Sequence, residues 1–358
     1  MSQSKYAYLL ERPTQPTVYA KRLTHLIFQR PDLDLAHQFL IDFGLILLKK
    51  NENELFFRAT ESGSYCYHVK LGNEAKFLGF GLEVDSIEDL QKLSQVKGAS
   101  PVQPLSTPGG GYGVNLLDPS GFLVQTVCQQ SAKAKLEHRP ALNLNVDLQQ
   151  TRINQTQRLP IQPPEILKLG HVVLELADFK ETIQWYMQHF GFIPSDVQVL
   201  PDGSPAVAFM RLNLGDIPAD HHTLALAQGV MPTYSHSAYE VVDTDAIGMG
   251  QRILREKGWQ HAWGIGRHIL GSQIFDYWND PWQCKHEHYC DGDLFDANVT
   301  TGFHAVSKKA MAQWGPAMPS SFTRPEISPE NLSKVLHHLK NSPDVTLKKV
   351  FTLAKIFM

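Results

Sequence analysis

Two segments of the chain share a pattern in which an apolar run carrying one histidine precedes an amphipathic stretch with helical spacing. Residues 23–45 read LTHLIFQRPDLDLAHQFLIDFGL, and residues 169–192 read LGHVVLELADFKETIQWYMQHFGF. The apolar positions of the two amphipathic stretches are Leu35, Phe39 and Phe43, and Ile183, Tyr186 and Phe190. The pattern predicts a short buried strand followed by a helix in each half of the chain.

Polar residues and glycines delimit these two predicted helices. Asp32 or Asp34 can accept the N-terminal capping hydrogen bond of the first helix, and Asp178 can do so for the second. Gly44 and Gly191 follow the last apolar positions, where glycine readily adopts the left-handed conformation that ends a helix.

The similarity between the two halves continues beyond the helices. GFGLEVDSIEDLQKL (79–93) resembles HSAYEVVDTDAIGMGQRIL (236–254), and LLDPSGFLVQTV (116–127) resembles YWNDPWQCKHEHY (277–289) through a shared Asp-Pro turn. A unit of one strand, one helix and further strands is therefore duplicated, which predicts two α+β domains of similar fold.

Composition shifts divide the chain into four parts. We predict an N-terminal domain over 1–135, a polar, proline-bearing linker over 136–165, a second domain over 166–293 and a C-terminal extension over 294–358. The extension contains a turn-rich stretch followed by helical-looking ENLSKVLHHLKN. It either covers the mouth of a pocket or stabilises the fold as an appendage.

Composition and charge exclude several function classes. The 358 residues are 42% hydrophobic and 19% charged, with a net charge of -3, which is typical of a globular protein and gives no basic surface for nucleic acid or anionic membranes. The four cysteines form no CxxC pair, and neither a secretory apolar segment nor a membrane span is present. A soluble cytoplasmic protein is expected.

The duplication indicates a metal site in the second half only. The aligned residues of the second copy are His171, His236 and Glu287, and those of the first copy are His25, Gly79 and Gln125. Two imidazoles and one carboxylate leave coordination positions open, as in non-haem iron(II) sites that activate oxygen, and manganese(II) accepts the same ligands. A single histidine in a strand is usually a core residue, but three ligand-capable residues at aligned positions favour a metal site.

Five motifs resemble those of a known family: LGHVVLEL, DHHTLALAQG, HSAYEV, GIGRHILGSQIFDYWNDP and KHEHYCDGD. They are similar to the successive motifs of type I extradiol ring-cleaving dioxygenases of the vicinal oxygen chelate superfamily. The resemblance is specific in residues 165–293, and the first domain carries no catalytic match. It implies tandem βαβββ modules, two per domain, that form two barrel-like domains with the iron in the second, and it implies a homo-oligomer.

The resemblance also assigns roles to individual residues. It makes the three aligned residues of the second half the metal ligands, His222 the acid/base residue, His268 a substrate contact and Tyr277 a residue near the substrate oxygens. From the residues alone, His221 could take the place of His222, Tyr277 could fill the core, and His268 could cap a loop. Asp-Pro-Trp-Gln at 280–283 departs from the usual Asp-Pro-x-Gly turn before the glutamate.

The predicted function is extradiol cleavage of a catechol-type aromatic diol with molecular oxygen, in an aromatic pocket. Candidate wall residues are Phe209, Trp263, Phe275 and Trp278, and 315–322 either shapes the entrance or forms a surface turn. The alternatives are a 4-hydroxyphenylpyruvate dioxygenase-like enzyme, a glyoxalase-like enzyme, or a non-catalytic ligand-binding protein. A binding protein has no need for an acid/base histidine beside three ligands.

Overall fold

A computed structural model describes residues 10–323 and 328–357, in which the chain forms two similar sheet domains. Each domain contains two βαβββ modules, so the duplication seen in the sequence is accompanied by a second repeat inside each domain. This α+β architecture of tandem modules, followed by C-terminal helices, confirms the predicted fold class.

The first domain is an eight-stranded sheet with two helices. Its first module contains β1 (Arg22–Arg30), α1 (Leu33–Asp42), β2 (Ile46–Lys50), β3 (Glu54–Arg58) and β4 (Tyr67–Leu71). Its second module contains β5 (Lys76–Glu83), α2 (Ile87–Leu93), β6 (Gln103–Pro104), β7 (Tyr112–Leu117) and β8 (Leu123–Cys128). The strands β1 and β5 pair antiparallel at the centre of the sheet. On one side β4 lies parallel to β1, and on the other side β8 lies parallel to β5.

The second domain repeats this arrangement in a nine-stranded sheet. Its first module contains β9 (Ile166–Leu176), α3 (Phe179–Phe190), β10 (Ile193–Val199), β11 (Pro205–Arg211), the short β12 (Ala219–Asp220) and β13 (Leu224–Gln228). Its second module contains β14 (Thr233–Val241), α4 (Thr244–Glu256), β15 (Gln260–Arg267), β16 (Ile274–Asn279) and β17 (Lys285–Cys290). The central pair is β9 and β14, which are antiparallel. The strand β13 lies parallel to β9, and β17 lies parallel to β14.

The C-terminal extension adds strands and helices to the second domain. It contains β18 (Leu294–Phe295), β19 (Gly302–Ala305), a short 3-10 helix (Lys308–Ala310), α5 (Pro329–Asn341) and α6 (Leu347–Phe357). The strand β18 pairs with β12, and β19 lies parallel to β10 at the edge of the nine-stranded sheet. Among the described residues, no helix is both long and apolar enough to cross a membrane.

The helix caps agree in part with the sequence pattern. Asp32 caps α1 by accepting a hydrogen bond from the Leu35 amide at 2.8 Å, whereas the side chain of Asp178 makes no such bond to α3. Gly191 ends α3 in the left-handed conformation, with φ of 69°. Leu35 is only half-buried. The buried apolar face of α1 consists of Leu33, Ala36, Phe39 and Leu40.

Between β8 and β9 the chain contains no helix and no strand longer than an isolated bridge. Arg139 fixes part of this connection to the second domain through two hydrogen bonds, 2.7 and 2.6 Å long, to the carboxylate of Asp243 at the start of α4. We propose that the domains and linker have the limits expected above, with the connection near 136–165 separating 1–135 from 166–293 and its extension.

The two equivalent Asp-Pro turns each contact the opposite domain. In the first domain, the carboxylate of Asp118 accepts a hydrogen bond of 2.8 Å from the Tyr186 hydroxyl of α3. In the second, the carboxylate of Asp280 accepts a hydrogen bond of 2.7 Å from the Arg30 guanidinium of β1. Arg30 and Asp280 are both almost completely buried. The duplicated turns therefore make pseudo-symmetric contacts with the opposite domain, one through a hydroxyl group and the other through an ion pair.

We expect Arg30→Met to lower the free energy of unfolding by about 3–5 kcal/mol, because it leaves the Asp280 carboxylate buried without its charge partner. Arg22→Met is the matched control, since Arg22 pairs with Glu83 in an exposed ion pair and exposed pairs contribute about 0–1 kcal/mol. Urea denaturation measures both values. Equal small losses for the two variants would show that the buried pair does not stabilise the interface.

Burial raises the pKa of Asp118 to about 6, against the opposing effect of the hydrogen bonds that its carboxylate accepts. The folded state therefore keeps a proton that the unfolded chain releases near pH 3.8. The resulting stabilisation is complete below the unfolded pKa and is lost as the pH rises through about 6.

Asn cannot ionise, so we expect the stability advantage of wild type over Asp118→Asn to decrease by about 3 kcal/mol between pH 4 and pH 7, at about 1.4 kcal/mol per pKa unit. Denaturation curves across this range measure the difference. The exposed Asp85, paired with Lys21, supplies a control through Asp85→Asn, whose difference from wild type should stay nearly constant. A constant difference for Asp118→Asn as well would contradict the raised pKa.

Candidate metal centre

Three adjacent strands carry the residues that the sequence alignment singles out. Ala238 of β14 lies opposite both His171 of β9 and Glu287 of β17 in the sheet register. His236 precedes Ala238 by two residues and therefore projects from the same face of β14. Residues separated by more than fifty positions in the chain are thus brought together by the order β17-β14-β9.

The three side chains converge on one point. The Nε2 atom of His171 lies 3.4 Å from Oε2 of Glu287, and the Nε2 atom of His236 lies 3.5 Å from the same oxygen. The potential ligand atoms of the three residues all lie within 4.8 Å of one another. Within 10–323 and 328–357, they form the one group of three or more histidine, cysteine or acidic side chains with this geometry.

Three polar atoms of this group lack hydrogen-bond partners. Both carboxylate oxygens of Glu287 and Nδ1 of His171 are buried and receive or make no hydrogen bond in the described part of the chain. Burial alone raises the pKa of Glu287, but His171, His268 and His236 hold that pKa well below its ordinary value, so the carboxylate is charged. Burial lowers the pKa of His236 to about 3, so its imidazole is neutral.

A buried carboxylate without a hydrogen-bond donor is unfavourable unless a cation compensates it. Here a charged carboxylate and two imidazoles direct their donor atoms at the same point. Neutral imidazole and carboxylate are ligands of divalent iron and manganese. The donor set therefore fits a divalent transition-metal ion.

In the first domain, the polar side chains at the equivalent positions form hydrogen bonds with each other and with neighbouring residues. The Nε2–H group of His25 donates to Oε1 of Gln125 at 3.1 Å, and the Gln125 amide in turn donates to Asn115 at 3.2 Å. Thr24 hydrogen-bonds Nδ1 of His25 at 2.8 Å. Burial lowers the pKa of His25 to about 3. These neutral partners leave no anionic ligand for a metal.

Gly79 occupies the position that corresponds to His236. Its φ of +156° is rarely adopted by residues with a side chain, and a Cβ atom there would lie 2.1 Å from the carbonyl oxygen of Leu123. A histidine cannot occupy this position without a backbone shift. The first domain has therefore lost both a ligand and the space for one.

The unusual turn before Glu287 keeps the geometry of its counterpart. Asp280 Oδ1 accepts from the amides of Trp282 and Cys284 at 2.9 and 2.8 Å. Gln283 adopts a left-handed φ of 66°, as Gly121 does with φ of 90° in the first domain. The departure from glycine therefore leaves β17 in register with β14.

The two neighbouring histidines of 221–222 point to different places. The ring of His222 lies 4.0 Å from the ring of His171, between centroids, whereas His221 hydrogen-bonds Asp196 through Nε2 at 2.7 Å. Burial and the surrounding histidines lower the pKa of His222 well below its ordinary value, so the ring is neutral. Of the two, His222 is the one beside the candidate ligands.

His268 and Tyr277 lie together at another side of the three residues. The Nδ1–H group of His268 donates to the carbonyl of Met311 at 2.7 Å, and Nε2 forms a hydrogen bond of 2.9 Å with the Tyr277 hydroxyl. Nε2 of His268 also lies 3.7 Å from Oε1 of Glu287, and the Tyr277 ring packs edge-on against His236. Both residues therefore border the candidate metal centre.

Aromatic and thioether side chains form a wall beside this pair. A buried cluster consists of Trp263, Phe275, Tyr277 and Met318, with Met311 and Phe322 packed against it. Phe209 lies on another side, 5.2 Å from the His222 ring. Trp278 belongs to the main core and donates its indole N–H to Asp276, so it is not part of this wall.

Several of these neighbours could not be identified from the sequence. Asp196 and Met311 were not singled out, and Met318 and Phe322 were known only within a segment that a surface turn explained equally well. The contacts of Met318 and Phe322 with Trp263 and Tyr277 favour the entrance interpretation. The His-His pair was the only sequence signal near Asp196, because β10 otherwise follows an ordinary strand pattern.

Comparison with known proteins supports this fold. Residues 168–285 match the model of the Glyoxalase/Bleomycin resistance protein/Dioxygenase superfamily. The chain is 29% identical over 312 residues to Metapyrocatechase 2 of Cupriavidus necator, covering 84% of this chain and 91% of that protein. It is 33% identical over 160 residues to an iron-dependent extradiol dioxygenase of Rhodococcus jostii (strain RHA1), covering 41% of this chain and 50% of that protein.

A solved structure shares the whole architecture. The extradiol ring-cleaving dioxygenase from B. fuscum superposes with a TM-score of 0.72 at 19% identity, covering 90% of this chain and 87% of that one. At this identity the likeness concerns the fold. The match to the family model identifies residues 168–285 as a domain of the Glyoxalase/Bleomycin resistance protein/Dioxygenase superfamily, and the superposition shows that the chain shares the fold of this dioxygenase.

Proposed function

We propose that this protein is an iron(II)-dependent extradiol dioxygenase, which cleaves the ring of a catechol-type diol and inserts both atoms of O2. The observation that carries the proposal is the convergence of His171, His236 and the unpartnered Glu287 beside the neutral ring of His222. The relatives support this activity, since one is named metapyrocatechase and another an iron-dependent extradiol dioxygenase.

In this proposal His171, His236 and Glu287 hold the metal. With two imidazoles and one carboxylate as protein ligands, coordination positions would remain for a diol and for oxygen, and a bound divalent iron would lower the pKa of a coordinated diol hydroxyl. Manganese(II) accepts the same ligands. Burial of Glu287 in its charged form favours a divalent cation over water at this point.

His222 acts as the acid/base residue. Its neutral ring can accept a proton from a substrate hydroxyl and later return it to a departing oxygen. Because His222 is 4% exposed, the proton is handled in a site from which bulk water is largely excluded. The ring lies against His171, so it borders the point on which the three candidate ligands converge.

Tyr277 and His268 orient the substrate. Their hydroxyl and imidazole form one hydrogen bond with each other, and a diol oxygen can replace that bond as the partner of either group. The wall of Trp263, Phe275, Met318 and Phe322 suits a flat apolar ring, since aromatic rings pack well against one another.

We further infer that the protein acts in the cytoplasm as a homo-oligomer, with an aromatic diol and O2 as its substrates and no nucleic-acid or membrane partner. Four free cysteines support a reducing compartment. A net charge of -3 offers no attraction to polyanions. The homo-oligomer rests on the family resemblance alone.

Oxygen uptake tests the proposal. Protein loaded anaerobically with iron(II) should consume one O2 per diol from a catechol panel and give a yellow, ring-opened semialdehyde type of product. A glyoxalase-like enzyme would act without oxygen, and a binding protein would retain the diol unchanged. Absence of oxygen uptake with every vicinal diol, despite bound iron, would refute the dioxygenase proposal.

A further inference from the structure

A chain of hydrogen bonds leads from the metal centre to the surface of the second domain. Nδ1 of His222 lies 3.0 Å from Nδ1 of His221, and Nε2 of His221 lies 2.7 Å from Oδ2 of Asp196. The other oxygen of Asp196 lies 2.7 Å from Nε2 of His304. His221 and His222 are buried, whereas His304 is nearly half exposed.

The carboxylate of Asp196 determines the direction of its two hydrogen bonds. An ionised carboxylate only accepts, so the Nε2 atoms of both His221 and His304 must carry protons. Burial alone raises the pKa of Asp196, but the hydrogen bonds from His221 and His304 hold that pKa below its ordinary value. Asp196 therefore remains an acceptor at neutral pH.

The direction of the next hydrogen bond follows. A neutral His221 that donates from Nε2 has a lone pair on Nδ1. That lone pair must accept the Nδ1–H group of His222, because two lone pairs 3.0 Å apart would repel each other. A neutral His222 that donates from Nδ1 has its lone pair on Nε2.

We propose that Asp196 and His221 are positioning residues, which hold His222 in the tautomer whose unprotonated Nε2 faces the metal centre. The inference rests on the proposed function, because it concerns the tautomer that His222 needs as the base. In the serine protease triad a carboxylate orients the histidine base in the same way. Here a second histidine lies between the carboxylate and the base.

The surrounding fold is shaped for this chain. Asp196 lies on β10, and its register partner on β19 is Gly302. A Cβ atom at Gly302 would lie 2.1 Å from Oδ1 of Asp196 and 2.8 Å from Nε2 of His304, so only glycine leaves room for their hydrogen bond. Gly271 packs closely against the His221 ring. The C-terminal extension thus supplies both the cover and one partner of Asp196.

Spectroscopy tests the tautomer directly. The ring 15N shifts of histidine-labelled protein, loaded with diamagnetic Zn2+, distinguish protonated from unprotonated nitrogens, and the His222→Ala protein identifies the His222 signals. Wild type should show a proton on Nδ1 of His222 and none on Nε2. A proton on Nε2 in the wild type would overturn the proposal.

Two variants test the consequence in the iron-loaded enzyme. In Asp196→Asn the amide can donate to His221 and reverse both hydrogen bonds, and His221→Phe removes the acceptor of His222 while keeping a ring. We expect kcat to fall by about 10²-fold in each, the lower end of the contribution of an acid/base group, with KM changed by less than about threefold.

Asp276→Asn is the matched control, because Asp276 is a buried aspartate that hydrogen-bonds His261 at 2.7 Å without a link to His222. It should keep the wild-type kcat. Wild-type kcat in both test variants would also overturn the proposal. If wild type consumes no oxygen with any diol, the proposed function fails, whereas the 15N measurement still decides the tautomer.

Discussion

Glu287→Ala is expected to purify without stoichiometric iron and to have no measurable turnover. The substitution removes the one anionic side chain of the candidate centre and leaves two imidazoles, those of His171 and His236. Two neutral ligands bind a divalent ion far less tightly than two imidazoles with a carboxylate, because the carboxylate supplies the charge that compensates the buried cation. Metal analysis after anaerobic loading and desalting, together with oxygen uptake, measures both effects.

His286→Gln is the matched control for Glu287→Ala. His286 is the preceding residue of β17 and equally buried, but it projects from the opposite face and hydrogen-bonds the Tyr67 hydroxyl at 3.0 Å. This variant should retain iron even where packing between the domains is weakened. Stoichiometric iron in folded Glu287→Ala protein would remove Glu287 from the ligand set.

His222→Ala is expected to retain iron but to turn over about 10²- to 10⁴-fold more slowly, the usual contribution of an acid/base group. His222 contacts the ring of His171 without belonging to the group of three potential ligands. The metal ligands are therefore intact in this variant, and only proton transfer is impaired. Steady-state oxygen uptake, normalised to bound iron, gives the change in kcat.

His261→Ala serves as its control. His261 is a partly buried histidine of the same domain that pairs with Asp276 and contacts none of the candidate ligands. It should keep turnover within about threefold of wild type, in line with substitutions away from the reacting atoms. Undiminished turnover in iron-loaded His222→Ala would exclude His222 as the acid/base residue.

The fold was largely predictable because the duplication is visible in short-range patterns of apolar and polar residues. The apolar runs around His25 and His171 became the central strands β1 and β9, and the amphipathic stretches became α1 and α3. The candidate ligands followed from comparison of two copies, one of which has Gly79 where the other has His236. Alignment within one chain therefore supplied information that no single motif contains.

What could not be predicted depends on contacts between distant parts of the chain. The role of Asp196 cannot be recognised from the sequence, because it depends on the parallel pairing of β19 with β10. This pairing places His304 within hydrogen-bond distance of the Asp196 carboxylate. Met318 and Phe322 join the wall because the extension folds back against Trp263. No periodicity in the extension indicates which strand edge it meets. The contacts of the extension with the second domain therefore become visible only in the folded structure.

The turn before Glu287 shows how a substitution can break a local rule and preserve geometry. Gln283 takes a left-handed conformation that usually favours glycine. The two amide hydrogen bonds to Asp280 hold the turn in that shape. Sequence alone therefore left the placement of Glu287 open, and the strand register resolved it.

We propose that one divalent metal is bound by His171, His236 and Glu287. An anomalous difference map, recorded at the iron absorption edge from crystals of anaerobically loaded protein, tests it most directly. We expect one strong peak within bonding distance of Nε2 of both histidines and of the Glu287 carboxylate. A peak bound by other residues, or none at this position in protein that contains iron, would exclude this ligand set.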